Sequence, residues 1–135
     1  MYQKLILTGN VGRDPEMRYT PSGAAVTSFS MAINDQYTNQ AGEKVKGTTW
    51  FRVTSWGKTA EACNQYVKKG MTVLVEGTLT ADKSTGNPRV YEKKDHTWAA
   101  NFEVNASTVR FLSHKEQAQE SQADNAPINE DDIPF

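Results

Sequence analysis

The sequence predicts an all-β domain with one short helix, closed as a five-stranded barrel and followed by an acidic tail with no fold of its own. Three observations point there. Short alternating or β-branched segments recur through residues 1–112, a single stretch carries a helical stripe, and the composition changes abruptly at Ser113. At 135 residues the chain has room for one domain with its own core.

The first strand is expected from Lys4 to Thr8, ended by Gly9-Asn10. A turn-rich stretch follows, broken by Asp14-Pro15 and Thr20-Pro21-Ser22-Gly23. Ala25 to Ile33 is a second strand, because Thr27, Phe29, Met31 and Ile33 fall at every other place. Asp35 to Gly47 shows no apolar pattern and is read as a polar loop. Thr49 to Trp56 is the third strand.

Thr59 to Lys69 is the helix, with Ala62, Cys63, Tyr66 and Val67 forming one apolar stripe. Lys68 and Lys69 suit its C-terminal dipole, and Gly70 suits the position past its end. Met71 to Leu79, rich in Val and Thr, is the fourth strand. A hairpin loop around Ser84–Pro88 leads to Arg89–Lys94, and a last strand runs from about Thr97 to Leu112. Three strands, a helix and then further strands is the order of a five-stranded oligonucleotide-binding (OB) Greek-key barrel, whose helix sits between strands three and four.

The net charge of −1 averages two unlike regions. Residues 1–112 carry +4 and residues 113–135 carry −5, an asymmetry that points to a nucleic-acid or acidic partner for the body. Gln, Glu, Ser, Asn, Asp and Ala dominate from Ser113 onward, so that segment buries too little apolar surface to order itself. The domain division is therefore 1–112 for the barrel and 113–135 for a disordered linker with an acidic tip. The lone Cys63 forms no intrachain disulfide and fits a reducing compartment. Met1-Tyr2-Gln3-Lys4 leads into a brief apolar run with no cleavage-like site. No stretch approaches the ~20 apolar residues that span a bilayer. A soluble cytoplasmic protein without membrane association is expected.

The third strand carries the most chemistry. Side chains alternate along a strand, so Trp50, Arg52, Thr54 and Trp56 share one face while Thr49, Phe51, Val53 and Ser55 share the other. The second set suits a core. The first places two indoles roughly 20 Å apart, at about 3.3 Å per residue, with a guanidinium between them. Every base has a π face, so exposed rings bind single strands with little sequence preference, at about 1–3 kcal/mol per stacked base. Arg52 can pair with phosphate or stack on a base itself.

Burial in the core or in a subunit interface is the competing reading for Trp50 and Trp56, since Trp is highly buried on average. Neighbouring segments favour the ligand. Tyr37, Lys44 and Lys46 precede the strand, and Lys83, Arg89, Tyr91, Lys93 and Lys94 occupy the later hairpin. Aromatics interleaved with cations are the expected lining of a single-strand groove. Trp98 either extends this platform or caps the barrel end.

No catalytic constellation accompanies these residues. Gly57-Lys58-Thr59 resembles the end of a phosphate loop, but Arg52 stands where that motif needs its first glycine. His96 and His114 have no Cys or His partner at metal-ligand spacing, and no serine sits in a nucleophile elbow. No cofactor, no metal and no enzymatic activity are expected. The ending Asp131-Asp132-Ile133-Pro134-Phe135 cannot continue a helix or a ladder, and its terminal ring among carboxylates reads as bait for another protein.

Several segments together resemble one family. LILTGNVGRDPEMRYTPSG over residues 5–23, TWFRV over 49–53, Gly57-Lys58 and KKGMTVLVEG over 68–77 are similar to bacterial-type single-stranded DNA-binding proteins. The resemblance covers about residues 1–112, and Asp131–Phe135 repeats the family's acidic tip. It implies an OB-fold homotetramer that wraps and protects single-stranded DNA in replication, recombination and repair, associates with the nucleoid, and recruits replication and repair proteins through the tip.

By the same resemblance, Tyr37, Trp50 and Trp56 fall on DNA-stacking positions. The family's aromatic near the end of the fourth strand is missing, because Lys83-Ser84 stands there, and Tyr91 or Trp98 is its candidate replacement. Phe51 falls where some relatives carry an interface histidine. An RNA-binding barrel and a protein-interaction barrel without a nucleic-acid ligand remain the alternatives at this point.

Overall fold

The computed structural model describes residues 1–113. Strands β1 (Leu5–Val11), β2 (Glu16–Tyr19), β3 (Ala25–Thr38) and β4 (Lys44–Trp56) precede helix α1 (Gly57–Tyr66). Strands β5 (Thr72–Leu79), β6 (Val90–Glu92), β7 (Trp98–Ala100) and β8 (Phe102–Phe111) follow it. The main sheet runs β1-β5-β8-β4-β3-β2, and an additional β1–β3 pairing closes β1, β5, β8, β4 and β3 into a barrel. All neighbours are antiparallel except β4 and β8. The helix lies between the third and fourth barrel strands, as the OB order requires.

The interior is filled by the expected alternation. Phe29 and Met31 from β3, Val53 from β4, Val73 and Val75 from β5 and Val104 from β8 form one buried cluster with Leu7 and Val11 of β1. Cys63 and Val67 close it from the helix side, and burial pushes the Cys63 thiol up. The helix is also tied down by polar contacts. The Thr27 hydroxyl donates to the Ala60 carbonyl at 2.7 Å, and the Ser55 hydroxyl donates to the Thr27 carbonyl at 3.3 Å.

Five boundaries differ from the sequence expectation. Gly9-Asn10 does not end the first strand, because β1 stays paired with β5 through both residues and runs on to Val11. Asp35–Gly47 is not a loop: β3 and β4 stay paired out to Thr38 and Lys44, forming an arm that projects beyond the barrel. Its tip is set by Asn39, whose Oδ1 accepts the N–H groups of Ala41 at 3.0 Å and Glu43 at 2.9 Å. The turn-rich stretch after β1 contains β2, which pairs with Ala25–Ser28 at the start of β3.

The helix occupies Gly57–Tyr66 rather than Thr59–Lys69. Val67 turns extended (φ −71°, ψ 132°) because the core takes its side chain, so Lys68 and Lys69 lie outside the helix and do not serve its dipole. At the other end Gly57, at φ +59°, gives the sharp exit from β4 that a side chain would resist. Finally, the strand expected from Thr97 is two strands. β7 pairs with β6 in a separate two-stranded ribbon, and β8 begins at Phe102.

Candidate nucleic-acid interface

Strand β4 presents its even-numbered residues to the outside of the barrel. Trp50 is 54% exposed and Trp56 is 48% exposed, with exposed Arg52 between them. What keeps Trp50 and Arg52 accessible is the size of their neighbours. Across the β3 register, Trp50 lies beside Ala32, Arg52 beside Ser30 and Thr54 beside Ser28. On the other side Glu103 flanks Arg52 and Asn105 flanks Thr54. Small and polar side chains cannot cover the Trp50 indole, so that ring remains open to a ligand, while Trp56, opposite the buried Val26, is half exposed at the end of the strand.

The arm extends this face. Lys44 and Lys46 share the parity of Trp50 along β4, so cations and indoles line one stripe from Lys44 to Trp56, about 40 Å long at ~3.3 Å per residue. Tyr37 does not join it. Its partner is Val45, which puts it on the side of the ribbon that carries Ile33 and Phe51. It is nonetheless well exposed near the arm's tip.

An open groove of about 520 Å³ runs beside Trp50. Trp50 and Arg52 form one wall, Gly12 and Arg13 come from the turn between β1 and β2, Glu16 begins β2, and Ser28 and Ser30 lie on β3. Tyr91 and Asn101 complete it from the β6–β7 ribbon and its junction with β8. The Tyr91 hydroxyl reaches the Asn101 side-chain oxygen at 3.5 Å. Trp98 pairs with Glu92 and therefore lies on the opposite face of the ribbon from Tyr91. At 69% exposure it caps no barrel end.

The remaining sequence-predicted cations lie in the loop after β5 and on the β6–β7 ribbon. Arg89 approaches Glu103 at 3.9 Å, a loose surface pair of small energetic weight. Lys83 lies in a loop held by Asp82, whose Oδ1 accepts the Ser84 hydroxyl at 2.5 Å and the N–H groups of Ser84 at 2.9 Å and Thr85 at 3.2 Å. Those bonds, the Ser84 hydroxyl foremost, hold the Asp82 carboxyl below its usual range. Lys93 occupies the ribbon's turn, where its N–H donates to the Thr97 carbonyl at 2.7 Å. Asp95 is lowered in the same way as Asp82, chiefly by the Thr97 hydroxyl at 2.6 Å.

Lys83, Arg89, Lys93, Lys44, Lys46, Trp56, Tyr37 and Trp98 thus lie outside the groove itself, while Trp50, Arg52 and Tyr91 line it. Gly12, Arg13, Glu16 and Asn101 are groove residues that sequence reasoning missed. Arg13 stood in the turn-rich stretch as an exposed cation near Gly12, a signal too ordinary to single out. Asp131, Asp132, Ile133, Pro134 and Phe135 lie outside the described residues. No cluster of metal-ligating side chains is found among the described residues.

The single-strand binding protein family model matches residues 2–112. The chain belongs to this family. A single-stranded DNA-binding protein of Neisseria meningitidis serogroup A is 35% identical over 114 residues, covering 84% of this chain and 62% of that protein. Single-stranded DNA-binding protein 1 of Chlorobaculum tepidum is 39% identical over 90 residues, covering 64% of this chain and 56% of its own length. The chain spans about three fifths of the length of these curated relatives.

Among solved structures, a deletion mutant of the single-stranded DNA binding protein from Thermus aquaticus superposes with a TM-score of 0.65 at 27% identity, covering 84% of this chain and 52% of that one. A Plasmodium falciparum SSB complex with ssDNA superposes with a TM-score of 0.67 at 22% identity, over 84% of this chain and 96% of that chain. That likeness supports the OB fold.

Proposed function

We propose that this chain binds single-stranded DNA without strong sequence preference and protects it during replication, recombination and repair. The observation that carries the reading is the outer face of β4, where two half-exposed indoles flank Arg52 and Tyr91 stands across an open groove. A duplex hides its base faces, whereas a single strand can lay them on these rings. Lys44, Lys46, Lys83, Arg89 and Lys93 track the phosphates on either side, and Trp56 and Tyr37 provide further stacking positions. Tyr91 takes the part of the aromatic that the end of β5 lacks. Membership of the single-strand binding family supports the same ligand.

Binding is a matter of surface and charge with no chemical step. Phosphate pairing releases counterions, so affinity for oligo-dT falls with salt in proportion to the phosphates engaged. Fluorescence titration with oligo-dT tests the reading directly. Trp50→Ala and Trp56→Ala each weaken binding while the fold persists, and unchanged affinity in both rejects stacking. Competition between matched DNA and RNA oligonucleotides separates this function from that of an RNA-binding barrel.

Assembly as a homotetramer in the cytoplasm, on exposed DNA of the nucleoid, is part of the proposal, and light scattering with and without oligo-dT checks the assembly. So is a two-part layout, with residues 1–112 binding DNA and 113–135 reaching outward. In that layout Phe135 enters a pocket on replication and repair proteins while Asp131 and Asp132 meet cations around it. Deleting Phe135 removes partner capture in pull-downs and leaves oligo-dT affinity intact. Retention of the same partners after the deletion rejects this role.

A further inference from the structure

Gly12 follows β1 directly, and its main chain lies against the Trp50 indole. A β-carbon added at Gly12 would stand 2.5 Å from Cζ3 and 3.0 Å from Cη2 of Trp50, and 3.0 Å from the Ser30 hydroxyl oxygen. Carbon atoms pack at about 3.5–4.0 Å, so a methyl group at position 12 and the indole cannot both keep these positions.

The main chain is not the part that yields. The Gly12 N–H donates to the Ser30 carbonyl at 2.8 Å. Its neighbour Val11 donates to the Met71 carbonyl at 2.8 Å and accepts the Gly70 N–H at 2.7 Å. Gly12 is also outside the left-handed region, so an alanine backbone fits there. The atoms it would meet are the far edge of a ring that turns about two side-chain bonds. Gly9 provides the contrast, because a β-carbon there would meet the main-chain carbonyl of Ala32 and so strike the barrel wall itself.

We infer that Gly12 is a positioning residue for Trp50. Its missing side chain leaves a seat, bounded by Ser30, that receives the outer edge of the indole. Seated there, the ring keeps one orientation in the groove opposite Tyr91 before any base arrives, which removes an ordering cost from binding. The β1–β2 turn thereby acts on DNA affinity without touching DNA at this position. The inference rests on the reading that Trp50 stacks on bases.

The test is a double-mutant cycle on the full chain, read by oligo-dT titration at fixed salt with thermal unfolding alongside. Gly12→Ala is expected to weaken oligo-dT binding about fivefold, a part of what one stacked base contributes, with little change in unfolding midpoint. In the Trp50→Ala background the same change has less than a twofold effect, whereas in the Trp56→Ala background it keeps its full effect. Wild-type affinity in Gly12→Ala, with Trp50→Ala impaired, overturns the seat and leaves stacking standing. Wild-type affinity in Trp50→Ala overturns the stacking reading and the seat with it. An equal loss with and without Trp50 also overturns the seat. If Gly12→Ala fails to fold, recovery of the fold in Gly12→Ala/Trp50→Ala supports the contact, and failure to recover rejects it.

Discussion

On the inner face of β4, Val53 and Ser55 have no solvent exposure and Phe51 tilts against Phe102 at 5.6 Å between ring centres. On the outer face of the same strand, Trp50 and Trp56 stay about half exposed. The two sets alternate residue by residue on one backbone. Leaving half of each indole in water forgoes on the order of 2 kcal/mol of burial per ring. The inner face holds the barrel closed, and the outer face keeps apolar surface available for a ligand. Stability and binding are thus separable by parity along a single strand.

A charge on the inner face gives the largest expected effect. Val53→Asp puts a carboxylate among Phe29, Val75 and Val104 with no partner, at a cost above about 4 kcal/mol, comparable to the whole stability of a small domain. Loss of a cooperative transition in circular dichroism is expected, and an intact transition would show that β4 does not hold the core.

Outer-face changes come next. Trp50→Ala and Trp56→Ala each lower oligo-dT affinity by about 1–3 kcal/mol, roughly 5- to 150-fold, while unfolding free energy falls by about 2 kcal/mol, the contribution of the buried half of each ring. A stability loss as large as that of Val53→Asp in either variant would break the comparison, because it would make that indole a core residue.

The β6–β7 ribbon repeats the contrast at smaller scale, since Tyr91 faces the groove and Trp98 faces away. Tyr91→Ala weakens oligo-dT binding by about 1 kcal/mol, near the low end for a stacked ring, and Trp98→Ala by less. The reverse order in titration would move the ligand's path to the other side of the ribbon.

The smallest effect concerns acid. The Asp82 carboxyl is held below its ordinary value of 3.8 by the Ser84 hydroxyl and the Ser84 and Thr85 N–H groups. A depressed carboxyl contributes order above its ordinary value and loses it as pH falls through the lowered one. The loop carrying Lys83 therefore loosens below about pH 4, visible as faster amide exchange at Ser84 and Thr85 relative to β4 after correction for intrinsic pH dependence. In Asp82→Asn this differential acid response disappears.

The barrel was legible because burial imprints period two on a strand. Thr27, Phe29, Met31 and Ile33 announced β3, and Trp50, Arg52 and Trp56 announced a face unlike its opposite. The arm was not legible for the same reason: from Asp35 to Gly47 both sides of the ribbon face water almost throughout, so pairing leaves no apolar pattern. The helix end was misread because Val67 and Met71 continue an apolar series that the core claims in extended and turn conformations.

Local chemistry by itself determined the class of this protein. Alternation fixed which side chains of β4 face the core, and the aromatic and cationic residues were visible as a set. What tertiary structure alone decided is which of them meet. Tyr91 is 41 residues from Trp50 and Gly12 is 38, yet all three line one groove. Their meeting depends on barrel closure through β1–β3 pairing and on the ribbon's register, which put Tyr91 rather than Trp98 toward the groove. Contacts between residues so far apart arise from pairing across the sheet, and neither period nor composition within one segment encodes them.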